Sequence, residues 1–325
     1  MSRFAKFAWF VLLYNLFVIL WGAYVRATGS GAGCGEHWPL CNGVAVPRSP
    51  QLATIIEFTH RLTSGLCLVL VLFLAAWAWR AFPNGSLIRR GAAWSVALTL
   101  TEALIGAGLV LLGHVAANQS VARGWSLSLH LVNTLLLISA LTITAWLATR
   151  PEPSVPMGVS TQRLRWLFLA VAALVLIVGV SGAIAALGDT LFKTTSLSEG
   201  IQQDLDPAAH PFVRLRVLHP FLALTAAGCL IGLALYLVDP DRWGSVVSKL
   251  AYTLIGITIL QTIWGALNIM LLAPVWLQLV HLLTADALWI TFVLLGFEAV
   301  RHPHRLVVEP QKGEAKSWLR FVKQT

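Results

Sequence analysis

Four histidines and one glutamate stand out from an otherwise apolar chain. His60, His130, His219 and His281 each lie near the same end of a long apolar stretch, and Glu57 precedes His60 by three residues. His60 and His219 are separated by 159 positions, His130 and His281 by 151. Ionisable side chains inside apolar spans are rare and mark functional sites. A lone histidine there is commonly a hydrogen-bonded structural group. Four at matched depth and matched repeat positions do not reduce to that reading. Zinc prefers four ligands in one tetrahedral cluster, which two separated pairs do not supply. The paired Glu-x-x-His pattern of carboxylate di-iron bundles is missing from the sequence. Two histidines on facing helices of an apolar unit suit the axial positions of heme iron, so the two pairs imply two heme sites.

The surroundings of the two pairs differ. Glu57 shares a helix face with His60, whereas the position 159 residues further on is Arg216. One pair therefore has a carboxylate beside it and the other a cation, which suggests that one heme reacts and the other serves it. An ion pair with a rim arginine is the plainer role for Glu57. Arg26, Arg61, Arg214 and Arg216 lie near the same end and are candidate partners for heme propionates, with simple snorkelling as the alternative. A glycine-rich loop, Thr28-Gly-Ser-Gly-Ala-Gly-Cys34-Gly-Glu-His-Trp38-Pro-Leu-Cys41, follows the first apolar stretch. Cys34 and Cys41 are positioned either for a structural disulfide over the first site or for a redox thiol pair. Cys67 and Cys229 fall inside apolar spans and read as packing residues.

The elements that must position these groups follow from composition. The chain has 325 residues, 57% hydrophobic and 11% charged, with a mean hydropathy of +0.76. A water-soluble domain carries about 25% charged residues, and a disordered chain would be polar, so both classes are excluded. Eight stretches are long enough to cross a bilayer as helices: 7–25, 55–79, 92–113, 127–148, 166–187, 217–238, 250–272 and 276–297. Placing the N-terminus in the cytoplasm puts 16 of the 23 Lys and Arg residues inside and 6 outside, with Arg61 in a span. That bias predicts both termini inside and the histidines toward the outer face. The net charge of +9 then marks topology and lipid contact rather than nucleic-acid binding.

An internal repeat organises the spans. Glu102-Ala-Leu-Ile-Gly-Ala in span 3 recurs as Gln261-Thr-Ile-Trp-Gly-Ala in span 7, and Gly22-Ala23 in span 1 recurs as Gly182-Ala183 in span 5. The expected fold is an all-α membrane protein, two tandem four-helix bundles in parallel repeat. Residues 1–150 form the N-terminal unit, 151–161 a cytoplasmic linker, 162–300 the C-terminal unit and 301–325 a basic cytoplasmic tail.

With these residues assembled, the chain resembles the heme A synthase family over essentially its whole length. The resemblance is carried by Val25-Arg-Ala-Thr-Gly-Ser-Gly31, Trp38-Pro-Leu-Cys41, Glu57-Phe-Thr-His60-Arg61, His219-Pro220 and the histidine of span 8. It implies a bacterial plasma-membrane enzyme that oxidises the C8 methyl of heme O to a formyl group by two hydroxylations and loss of water. It implies that His60, His130 and Glu57 form the substrate site, that His219 and His281 hold a heme b cofactor, and that Cys34 and Cys41 are disulfide-bonded. Implied partners are heme O, an electron donor, heme O synthase, oxidase assembly factors and membrane lipid; a homo-oligomer is compatible. Glu102 departs from the family's habit of an uncharged amide at this position. Two rival readings are a diheme b-type electron carrier, which predicts equivalent sites, and a transporter, which predicts polar groups at mid-membrane, where only Glu102 and Asp286 qualify.

Overall fold

The structure, a computed structural model, describes residues 1–150 and 162–301. The expected linker and nearly all of the expected basic tail lie outside the described residues. Within the described residues there is no β-strand, and eight helical segments are long and apolar enough to cross a membrane. They are α1 (Arg3–Ala27), α2 (Leu52–Ala81), α3 (Leu87–Leu111), α4 (Val121–Ala148), α5 (Gln162–Leu191), the paired helices α7 (Pro211–Arg216) and α8 (Leu218–Leu237), α10 (Ser245–Met270) and α11 (Val275–Arg301). Short helices α6 (Leu197–Leu205) and α9 (Pro240–Trp243) lie in the connections.

Helices are the required solution here, because a backbone in hydrocarbon must satisfy its polar groups within the segment. The segments run 25–30 residues, longer than the apolar core demands. Their polar ends therefore extend past the stretches marked by hydropathy alone. Serine side chains cap the starts of α1, α3 and α4, where Ser2, Ser86 and Ser120 accept from the amides of Ala5, Arg89 and Arg123.

Neighbour packing closes a ring in each half: α1–α2–α3–α4 and back to α1, then α5–α8–α10–α11 and back to α5. The halves meet chiefly where α4 lies against α5 and α11. Small residues allow the close approaches that helix packing in lipid relies on. A Cβ on Gly91 would lie 2.3 Å from Thr144 Oγ1, and one on Gly296 3.0 Å from the Phe168 ring. Indole N–H groups bridge the halves. Trp289 donates to the Leu135 carbonyl at 2.8 Å, and Trp146 donates to buried Glu298 at 2.5 Å. Cys67 is buried as expected, whereas Cys229 is exposed on the outside of the bundle, because α8 turns that side away from its neighbours.

Candidate functional site

The four histidines enter from the starts of α2, α4, α7–α8 and α11, each within the first three turns of its span. His60 lies within electrostatic range of His130, and His281 within range of His219. The pairs expected from the repeat are thus brought together, each within its own half. All four residues are neither fully buried nor exposed. Nδ1 of His60, His130 and His281 is nonetheless buried without a hydrogen-bond partner. His219 differs, with Nδ1 3.0 Å from Ser181 Oγ.

Room for the first ring of each pair comes from a glycine. A Cβ on Gly22 would lie 3.0 Å from His60 Cε1, and one on Gly182 2.9 Å from His219 Cε1. The repeated Gly-Ala pairs in the sequence are the signature of this contact. Gly22→Ala is expected to leave thermal stability unchanged or slightly raised, since alanine favours a helix by about 1 kcal/mol. The same change should weaken ligand binding at the first site about tenfold by displacing the imidazole. Heme retention during detergent dilution, measured beside the melting temperature, checks both halves of the prediction.

Glu57 is buried and committed at both oxygens. Oε2 accepts from the Cys34 amide at 2.8 Å, and Oε1 pairs with Arg61. Arg61 also donates to the carbonyls of His37 and Leu40, each at 2.6 Å. The expected ion pair with a rim arginine is therefore present, and it clamps the first loop onto α2. That loop is closed by the Cys34–Cys41 disulfide. It sits so tightly on α2 that a Cβ on Gly33 would fall 2.4 Å from the Ala53 backbone, while Thr54 Oγ1 donates to the Gly33 carbonyl at 2.7 Å.

The other arginines also have protein partners. Arg26 reaches from α1 into the second half, donating to the Ala186 carbonyl at 2.7 Å, Thr190 at 2.9 Å and Gln278 at 2.9 Å. Arg216 pairs with Asp189 at 3.1 Å and with Asp204. Glu57 and Arg216, equivalent by the repeat, thus each form an ion pair at the loop end of the bundle, with reversed polarity. Arg214 is the least engaged, exposed and 3.5 Å from the Pro207 carbonyl.

Polar residues without an assigned role complete the two pairs. Oε1 of Glu102 lies 3.0 Å from His130 Nδ1. The same carboxylate accepts from Asn133 Nδ2 and Thr134 Oγ1 of α4. At the repeat-equivalent place, Gln261 Nε2 lies 3.3 Å from His281 Nε2, and Gln261 Oε1 is buried and partnerless. The sequence did carry a signal for this, a polar side chain at matched positions of spans 3 and 7. Asp286, the second acid deep in a span, is 2% exposed, and its Oδ2 has no hydrogen-bond partner.

A shallow apolar groove of about 340 Å³ lies between α4, α5 and α7–α8, with Ser181 on its wall and the exposed Ile177, Leu215 and Leu218 on its rim. A volume of about 430 Å³ near Phe73, Trp77 and Arg80 is lined by the last turns of α2 alone, more than three turns from His60. Lining by one helix makes it a surface groove. Within the described residues, no group of three or more His, Cys, Asp or Glu residues could hold a metal ion. The donor set is instead paired imidazoles among apolar helices, three of them with Nδ1 buried and without a hydrogen-bond partner. That set fits an iron porphyrin, which brings four of its own ligands and needs only axial ones.

The sequence model of the COX15-CtaA family, described as cytochrome oxidase assembly protein, matches residues 5–293. The chain belongs to this family. Among curated relatives, it is 47% identical over 314 residues to a protein of Thermus thermophilus named protoheme IX farnesyltransferase, covering 97% of this chain and 51% of that protein. It is 40% identical over 111 residues to the heme A synthase of Alkalihalophilus pseudofirmus, covering 34% of this chain and 37% of that protein. The heme A synthase of Bacillus cereus is 40% identical over 130 residues, covering 39% of this chain and 41% of that protein. The chain thus spans about half the length of the Thermus relative.

Proposed function

We propose that this chain is a heme A synthase, oxidising the C8 methyl of heme O to a formyl group by two hydroxylations and loss of water. The observation that carries this reading is the arrangement of two histidine pairs in unlike polar surroundings. His130 stands with Glu102, and Glu57 lies three residues before His60 on α2, while His219 and His281 stand with Ser181 and Gln261. An electron carrier needs only the axial ligands and gives a carboxylate beside one pair no chemical task. In this reading His60 and His130 hold the iron of heme O as substrate, and His219 and His281 hold a heme b. Iron porphyrins supply one-electron chemistry that side chains lack. The protein's own contribution is to hold the rings between apolar helices and present Glu57 beside the substrate methyl. Arg214 is the arginine freest to meet a propionate; Arg26, Arg61 and Arg216 would do so while keeping their present partners.

The same reading places the chain in a bacterial plasma membrane with both termini cytoplasmic and the histidines toward the outer face. A disulfide at the histidine end supports that orientation, because such bonds persist on the oxidising side. Heme O synthase and oxidase assembly factors are the natural suppliers and recipients, with an electron donor as a further partner.

Prenyl transfer, the activity in the Thermus relative's name, is not our reading for this chain. Transfer from a prenyl diphosphate calls for carboxylate-held divalent cations, and no acidic cluster of that kind occurs within the described residues. The test is expression of the chain with and without a heme O source, followed by mass identification of bound hemes. Heme A or its C8 alcohol only when heme O is supplied supports the proposal. Heme O appearing from protoheme alone would overturn it in favour of prenyl transfer, and heme b alone in favour of an electron carrier.

A further inference from the structure

Glu102 is an acid within the apolar span α3, its side chain 21% exposed, and its placement there has a cost that must be offset locally. Its neighbours are built to do so. Oε2 accepts from Asn133 Nδ2, and Asn133 is itself fixed by Thr101 Oγ1 at 2.7 Å and by the Leu98 carbonyl at 2.9 Å. Oε1 accepts from Thr134 Oγ1 and faces His130 Nδ1 at 3.0 Å. Glu102 also lies within electrostatic range of His60. The Nδ1 position is off the line of a hydrogen bond, and turning the imidazole about its broad outer torsion aligns the two groups.

We propose that Glu102 is a positioning residue for His130, accepting the Nδ1 proton's hydrogen bond so that Nε2 is the ring's metal-binding nitrogen and the ring is made a stronger electron donor. A ligating histidine whose other nitrogen donates to a carboxylate is fixed in tautomer and orientation and gains basicity. The second half lacks this device. Gln261 is neutral, and it approaches Nε2 of His281 rather than Nδ1. The residues after the two histidines diverge in the same sense, since Asn133 and Thr134 have Thr284 and Ala285 as their repeat equivalents. The first half therefore holds an anion where the second holds only an amide, and the iron of the first site has the lower reduction potential of the two.

This inference rests on the proposed reading that His60 and His130 hold the heme O iron, and the test separates the two. The full chain is co-expressed with a heme O source, purified, and titrated by spectroelectrochemistry. His130→Ala and His281→Ala variants identify the component belonging to each site. Glu102→Gln, nearly isosteric and mimicking Gln261, is expected to keep both hemes and raise the potential of the first component. The expected size is a tenfold shift in its ferric-to-ferrous ratio at fixed ambient potential, equal to about 59 mV for one electron. The second component stays fixed. Glu102→Asp, which keeps the charge but withdraws it by one methylene, is expected to shift part of the way. An unchanged first component in Glu102→Gln, with both hemes bound, overturns the positioning role and leaves the ligand assignment standing. A first component that survives His130→Ala overturns the ligand assignment and the inference with it. Should Glu102→Gln fail to accumulate, Thr134→Val is titrated instead. It frees Oε1 of a competing donor and is expected to lower the first potential; no change there overturns the proposal equally.

Discussion

His281→Ala protein, purified from cells that also make heme O, is expected to carry about half the heme of the parent chain and no heme A. The truncation should not unfold the bundle. The His281 residue is only partly buried, its Nδ1 has no hydrogen-bond partner, and its Nε2 lies 3.3 Å from Gln261. Its removal takes little from the native state, about 1 kcal/mol. His219→Ala is expected to give the same phenotype, since Ser181 and the apolar groove cannot replace an axial ligand. His60→Ala and His130→Ala form the second class: heme b is kept and heme O is lost. Pigment extraction with mass identification sorts the four variants. Losses that cross the pairs, with His60 behaving like His281, would break the assignment of one site to each half. Loss of all heme in every variant would show a single shared site and overturn it as well.

The spans and histidine pairs were legible in the sequence because each follows from a constraint that acts along the chain. A bilayer demands long apolar helices, and a tandem repeat returns the same side chain at a fixed offset, so His60 predicts His219 and Gly22 predicts Gly182. Contacts between helices are not encoded in spacing. Arg26 looked like a rim cation, yet it bonds to Gln278 across 252 positions, and nothing local announces that. Glu102 was visible as an anomaly beside Gln261, but its meaning depended on the rotation of α3 against α4, which sets Oε1 against His130. Arg216 was legible as the counterpart of Glu57. Its two acidic partners come from α5 and α6, and α6 is too short and polar for hydropathy to mark. Thus the histidine pairs could be read in advance, while the groups packed around them needed the structure.

Glu57→Gln is expected to do two separable things. The first is structural. The Glu57–Arg61 pair is largely buried, with side-chain exposures of 5% and 12%, and breaking a buried pair can cost about 3–5 kcal/mol. Here the cost should be nearer 2 kcal/mol, the scale of one hydrogen bond to a charged group, because Arg61 keeps the His37 and Leu40 carbonyls. Opening the disulfide has a similar cost: a loop closed over a separation of seven residues contributes about 2.5 kcal/mol in the chain-entropy view. Both changes loosen the same loop, so their effects on stability should not add. The second effect is chemical and belongs to Glu57 alone. A carboxylate has room to accept beyond the Cys34 amide and Arg61, and placed beside the substrate methyl it can take a proton during oxidation. Loss of such a group slows a reaction about 100-fold or more, so Glu57→Gln should accumulate heme O or the C8 alcohol. A Cys34→Ser, Cys41→Ser protein, with the loop loosened and the acid intact, should lose less than about tenfold. The ratio of heme A to unreacted heme O in the two proteins measures the difference. Equal losses would mean that Glu57 acts only by clamping the loop, and its place would then be in the lid rather than at the methyl.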